Sequence, residues 1–262
     1  MFEDRDLSSF DTFREIIARL RAPDGCPWDR KQTHSSLRPY LLEECYEVME
    51  ALDDGNEKEL CRELGDLLLQ IMLHSQIAVE HGEFDVGDVI HSINTKLIHR
   101  HPHVFGDVEV EDAREVSINW EALKKEERLE SEKDASLLDS VPVQMPALAY
   151  SQSIQRRVAK VGFDWKDFGG IIEKVAEEVK ELEEAEDQQQ RDWEFGDLLF
   201  VMVNAARWLD IDSESSLRQA NQRFYNRFHY MEKTCTERGI ALGDLSFDEQ
   251  NALWDEAKQE VG

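Results

Sequence analysis

Two acidic patterns recur in this chain, each set into what reads as core-forming helix. In "LEECYEVMEALDDGNEKELCRELGDLLLQI", Glu43, Glu44 and Glu47 make an EExxE pattern, and Glu63 and Asp66 make an ExxD pattern. In "AEEVKELEEAEDQQQRDWEFGDLLFVMV", Glu177, Glu178 and Glu181 and then Glu194 and Asp197 repeat both patterns in the same order. Residues three and four apart share a helix face, so Glu44 and Glu47 project together, as do Glu63 and Asp66. The short polar turn "DDGNE" makes the two helices antiparallel neighbours, which brings four or five carboxylates together. Carboxylates that close repel, and some take up protons. A divalent cation resolves the conflict, and an all-oxygen donor set suits Mg2+ or Mn2+ over zinc or copper.

A lone EExxE in a chain with 57 Asp and Glu against 30 Lys and Arg is ordinarily a solvated face. Here both clusters occur together, in order, in both halves, and "GDLL" overlaps the second cluster each time. Surface decoration has no reason to retain that arrangement twice, so the metal reading is favoured. A di-iron bundle also places Glu on facing helices, but it needs ExxH where this chain has Asp66 and Asp197.

The elements that must hold these groups are helices. Leu41, Cys45, Val48, Met49 and Leu52 recur at helical spacing, as do Leu64, Leu67, Leu68 and Ile71. Ile171, Ile172, Val175, Val179 and Leu182 repeat this, followed by Phe195, Leu198, Leu199 and Met202. Alternation of period two is confined to "HVFGDVEVED", which is expected to be a loop. The fold class is all-α. Each half opens with a Gly/Trp turn ("GCPWD", "GFDW"), and the offset between halves is 134 residues at Glu43/Glu177 and 131 at Asp66/Asp197. That near-constant offset marks an internal duplication. The expected domains are residues 1–130 and 142–262, joined by a charged, Pro-bearing linker over 131–141.

A net charge of −27 with no basic stripe argues against nucleic acid and anionic membranes as partners. A small phosphorylated ligand stays open, because divalent cations invert the local charge logic. No apolar run nears the roughly 18 residues of a membrane span. "MFEDRDLSSF" lacks the layout of a signal peptide, and the four cysteines form no zinc or disulfide pattern. A cytoplasmic protein with reduced thiols is expected.

"LEECYEVMEAL…CRELGDLLLQ", "HRHPHVFGD" and "WEALKKEER" in the first half resemble the MazG family of all-α nucleoside triphosphate pyrophosphohydrolases. So do "GFDW", "AEEVKELEEA…EFGDLLF" and "QANQRFYNRF" in the second. The resemblance runs from about residue 8 to 258. It implies Mg2+-dependent hydrolysis of nucleoside triphosphates to monophosphate and pyrophosphate, with broad base tolerance, by a homodimer. Carried over by position, Glu178, Glu181, Glu194 and Asp197 are the implied C-terminal metal ligands, with Glu177 as an outer partner or water-orienting base. The N-terminal equivalents are Glu44, Glu47, Glu63 and Asp66, with Glu43 assisting. The family's precedent makes the C-terminal half the main active unit. A catalytically silent metal- or nucleotide-sensing scaffold is the alternative.

Cations should face the phosphates. Lys174, Arg223 and Arg227 are candidates in the second half, Lys96 and Arg100 in the first. The family's C-terminal repeat typically has Lys where Arg223 stands, and Arg191 stands in for a Lys upstream of the second acidic cluster. Trp120 and Trp254, each in a short helix ending its half, suit stacking on a base, since every base has a π-face. Trp28 and Trp165 read as structural anchors of the Gly-containing turns. His99, His101 and His103 read as a structural or phosphate-facing turn, because Pro102 interrupts any shared helical face.

Overall fold

The computed structural model describes residues 5–112, 115, 116, 119, 120, 123 and 136–261. All regular structure among them is helical. The chain divides into two compact units, Met1–Ser131 and Glu132–Gly262.

The first unit contains α1 (Phe10–Arg21), α2 (Arg38–Asp53), α3 (Glu57–His81), α4 (Val86–Arg100) and the single turn α5 (Pro102–Phe105). The second contains α6 (Ala147–Ala159), α7 (Phe168–Glu184), α8 (Gln188–Trp208), α9 (Ser213–Arg238) and α10 (Phe247–Glu260). In each unit the pattern-bearing helices form the closest pair, α2 with α3 and α7 with α8. The preceding helix lies on the second member, α1 on α3 and α6 on α8.

Local chemistry fixes these hairpins. Pro39 opens α2, where its missing N–H is no loss. Gly55 turns the chain in the left-handed region at φ 63°, and the Asn56 side chain accepts the Glu59 N–H to start α3. In the second hairpin Asp187 caps α8 by accepting the Gln190 N–H. In the Gly/Trp turns, a Cβ on Gly25 would lie 2.3 Å from the Leu20 carbonyl oxygen.

The cores differ between the units. In the first, Ile17 of α1 meets Met72, Leu73 and Ile77 of α3, together with Leu37 and Val86. Phe13, Leu20 and Leu69 close around them. In the second, α6 is locked to its neighbours by amides. Buried Gln152 donates from Nε2 to the Ile211 carbonyl (2.7 Å) and accepts from the Ser213 N–H (3.0 Å) and hydroxyl (2.9 Å). A separate apolar cluster of Met231, Cys235, Leu253 and Ala257 joins α9 to α10.

Of the stretch expected to be a linker, residues 131–135 lie outside the described residues. Ser136–Val141 packs against α6: Val141 is 3% exposed, and Arg157 donates to the Leu137 carbonyl and to Ser140. The helix expected after Asn119 also lies largely outside the described residues. The "HVFGDVEVED" stretch forms α5 and then non-helical chain. All four cysteines are free. No helix among the described residues is long and apolar enough to cross a membrane.

Candidate metal centres

Each helix hairpin gathers its carboxylates. One oxygen each from Glu44, Glu63 and Asp66 lie within 4.8 Å of one another, and the same holds for Glu178, Glu194 and Asp197. Glu47 adjoins the first group closely enough that its charge and a hydrogen bond act on Glu44. Glu181 adjoins the second: its Oε2 is 3.9 Å from Lys174 Nζ, and its charge acts on Glu194. Glu43 and Glu177 sit on the exposed flanks, with Glu177 accepting from Lys174 Nζ at 2.7 Å.

The two groups balance their charge differently. In the first, Arg62 of α3 bridges Glu59 and Glu63 and comes within 3.8 Å of Asp66. In the second, Lys174 of α7 reaches Glu178 at 2.6 Å and Glu177 at 2.7 Å. The position matching Lys174 in the first half is Tyr40, and that matching Arg62 in the second is Trp193. The deeply buried carboxylate follows its cation, being Glu63 on α3 in one unit and Glu178 on α7 in the other.

Burial raises the Glu44 carboxyl above its ordinary range, helped by Asp66 and Glu47. It raises Glu63 as well, against the pull of Arg62. Glu194 is raised by burial and then by Glu181, Glu178 and Asp197. Hydrogen bonds donated to Glu177 and Glu178 hold Lys174 firmly protonated. One oxygen on each buried glutamate, Glu63 Oε2 and Glu178 Oε2, has no hydrogen-bond partner among the described residues. An unpartnered buried carboxylate oxygen is costly. The donor set is all oxygen, so both groups fit a hard divalent cation. Neither contains an imidazole, as iron chemistry of the di-iron type would want.

The raised carboxyls give the metal effect a pH signature. A raised folded pKa means that the folded chain keeps protons the unfolded chain gives up. Metal-free stability therefore falls as pH climbs from the ordinary Glu value, about 4.3, through the raised ones. A cation in the clusters opposes that fall. Saturating Mg2+ or Mn2+ should raise the melting temperature by about 5 °C near pH 7.5 and by clearly less near pH 5. Equal shifts at the two pH values, read by calorimetry, would contradict this coupling.

A cavity of about 1030 Å3 adjoins the second cluster. Lys174, Glu178 and Asp197 border it together with Trp165, Gln155 and Asn204. The Trp165 ring lies over Gly170, where a Cβ would come within 3.1 Å of it. Asp164, also on the wall, accepts from Arg207, from the Trp165 N–H and from Trp208 Nε1. Burial pushes Asp164 up, but these bonds outweigh it and hold the group below its ordinary range. By the 131-residue offset, Phe200 and Asn204 correspond to Leu69 and Leu73, which pack in the first unit's core.

The other candidates lie elsewhere. Arg227 stacks over Trp254 at 5.8 Å, and Phe224 packs on the same ring. Arg100 stacks over Trp120 at 5.3 Å, with His101 against it at 4.8 Å. The two halves thus repeat an Arg–Trp pair. Arg191, Arg223, Arg227 and Trp254 do not border the cavity, and Lys96 is exposed on α4. The residues that sequence reasoning passed over are Trp165, taken only as an anchor, and Gln155, Asn204, Asp164 and Arg207. The available signal was Gln152 and Gln155, two amides three apart on α6 where an apolar face is expected.

Residues 32–105 match the family model described as the MazG nucleotide pyrophosphohydrolase domain. The chain is 46% identical over 249 residues to the nucleoside triphosphate pyrophosphohydrolase/pyrophosphatase MazG of Thermotoga maritima, covering 95% of each. It is 40% identical over 260 residues to the nucleoside triphosphate pyrophosphohydrolase of Escherichia coli K12, covering 97% of this chain and 98% of that one. It also matches an uncharacterized protein of Bacillus subtilis, YabN, at 49% over 254 residues, which is 95% of this chain and 52% of that protein. Similarity of this extent, over a helical chain whose acidic clusters recur in both halves, places it in the MazG family of nucleotide pyrophosphohydrolases.

Proposed function

We propose that the protein is a Mg2+-dependent nucleoside triphosphate pyrophosphohydrolase. It splits the bond between the α- and β-phosphates to give a nucleoside monophosphate and pyrophosphate. The observation that carries the reading is the second acidic cluster, with its orphan Glu178 oxygen and adjacent Lys174, opening on a cavity of about 1030 Å3. That volume sits at the upper end of small-molecule sites, enough for a nucleotide.

Glu178, Glu181, Glu194 and Asp197 would hold the metal, and Mn2+ should substitute. When bound, Mg2+ supplies Lewis acidity at phosphoryl oxygens and a water acidic enough to attack near neutral pH. Glu177 is exposed beside the cluster, where it would orient an attacking water and accept a proton at its carboxylate. Lys174 keeps its proton at Nζ and borders the cavity, where it would meet phosphate oxygens. The apolar sides of α7 and α8 hold the carboxylates in position before substrate arrives, as electrostatic preorganisation requires.

The second unit is proposed as the main active one. In the first, Glu44, Glu47, Glu63 and Asp66 would take a metal, with Glu43 beside them. However, the positions matching the cavity residues Phe200 and Asn204 are Leu69 and Leu73, which pack in the first unit's core. Lys96, Arg100 and Trp120 are its candidate phosphate and base contacts. The protein is proposed to act as a homodimer. Phe195, Leu199 and Met202 form a stripe on α8 at 52%, 43% and 50% exposure, the kind of face a facing subunit covers. Such a partner would also give Arg191, Arg223, Arg227 and Trp254 a route to the nucleotide.

The deciding assay incubates the four common NTPs with Mg2+ and identifies the products. Monophosphate plus pyrophosphate supports the reading. Diphosphate plus orthophosphate rejects the bond assignment, and binding without turnover supports a silent scaffold.

A further inference from the structure

One buried oxygen on a residue bordering the cavity, Gln155 Oε1, serves neither the metal cluster nor the fold. Gln155 is 4% exposed, borders the cavity and donates from Nε2 to the Phe200 carbonyl at 2.8 Å. That bond fixes which way round the amide sits, because the flipped form would set two oxygens together. Its Oε1 is therefore committed as an acceptor, and it has no partner among the described residues. Gln152, one turn earlier on α6, shows what a purely structural amide looks like here, with both ends bonded. Buried polar atoms are rarely left unpaired in a native fold.

The position of Gln155 says what could pair with it. Phe200, which receives its donor, lies three residues beyond Asp197, roughly 4.5 Å along the helix axis. Gln155 thus sits about one helical turn further along the cavity than the acidic cluster, comparable with the reach of a ribose between base and first phosphate. Trp165 and Phe200 supply flat apolar walls on the same cavity. No second titratable group is needed: a single neutral acceptor suits a neutral N–H donor.

We infer that this end of the cavity is a nucleobase subsite in which Gln155 Oε1 accepts one N–H from the base's Watson–Crick edge. The inference rests on the hydrolase reading for the triphosphate end and deepens it. Adenine offers N6–H there, guanine N1–H, cytosine N4–H and uracil N3–H. One acceptor thus serves all four, which is the physical content of broad base tolerance. A base lacking that hydrogen leaves the acceptor buried and unpaired, which weakens its binding.

Uridine triphosphate and its N3-methyl analogue test this in the intact protein. With the wild type, N3-methylation should raise KM about tenfold with little change in kcat. In Gln155→Leu, KM for UTP should rise by a similar factor and the gap between the two nucleotides should close. Competitive inhibition by inorganic tripolyphosphate, which has no base, should be unchanged by the substitution. A purely structural Gln155 would shift all three ligands together or none, and either result overturns the inference. So does equal KM for the two nucleotides in the wild type, a comparison that holds even if the variant folds poorly. If no cleavage occurs at all, the hydrolase reading fails. The subsite is then decided by calorimetric binding of UMP against N3-methyl-UMP, with equal affinities rejecting it.

Discussion

Glu178→Gln and Asp197→Asn should each lower kcat for NTP cleavage roughly a thousand-fold, measured as pyrophosphate release at saturating Mg2+. Both substitutions keep side-chain volume, so the effect reads charge and ligation and not packing. Glu178 makes the sharper case. It is 3% exposed, with one oxygen on Lys174 and the other unpartnered. Replacing it removes a buried charge while Lys174 keeps Glu177 as a partner, so the metal-free melting temperature should change by only a few degrees. The rise in melting temperature that Mg2+ brings should shrink in the same variant. A variant that melts normally and turns over within tenfold of wild type would remove Glu178 from the site.

Separating the units should produce an equally large contrast. Residues 136–262 alone should cleave NTPs with kcat within about tenfold of the intact chain. Residues 1–131 alone should show no cleavage above background, a loss of roughly a thousand-fold or more, while still binding Mn2+. The expected asymmetry follows from the residues at matching positions: Leu69 and Leu73 of α3 pack in the first unit's core, whereas Phe200 and Asn204 of α8 border a cavity. The cut must fall before Ser136. Starting at residue 142 strips buried Val141 and the acceptors of Arg157, at a cost of about 2 kcal/mol for the side chain alone. Robust turnover by the first unit would overturn the proposed division of labour.

Much of this was legible in the sequence because it is written in short-range periodicity. The spacing of Leu64, Leu67, Leu68 and Ile71 announces a helix without reference to any partner. The two acidic patterns on either side of a polar turn announce that their carboxylates converge. Less visible was what depends on how a third helix docks. Nothing local to Gln155 states that its oxygen stays unpaired, since that is fixed by the Phe200 carbonyl 45 residues away. Trp165 looked like an anchor because a Gly-containing turn explains it fully on its own. Trp254 looked free to stack on a base, and whether Phe224 and Arg227 already cover its ring is a tertiary matter. Residue type alone directs Lys174 toward phosphate, whereas its contacts with Glu177 and Glu178 depend on side-chain geometry.

The exchange of counter-ions between the units has a consequence for how the two halves can be interconverted. Arg62 and Lys174 answer one electrostatic demand from opposite sides of the hairpin. A graft of either acidic motif into the other half therefore imports the debt without the remedy. Swapping Trp193 for Arg alone would add a guanidinium where an ammonium already presides, and swapping Tyr40 for Lys would do the mirror of this. Only paired exchanges, such as Lys174→Tyr with Trp193→Arg, keep the ledger of charge even, so the twin repeats have drifted into chemically distinct dialects of one design.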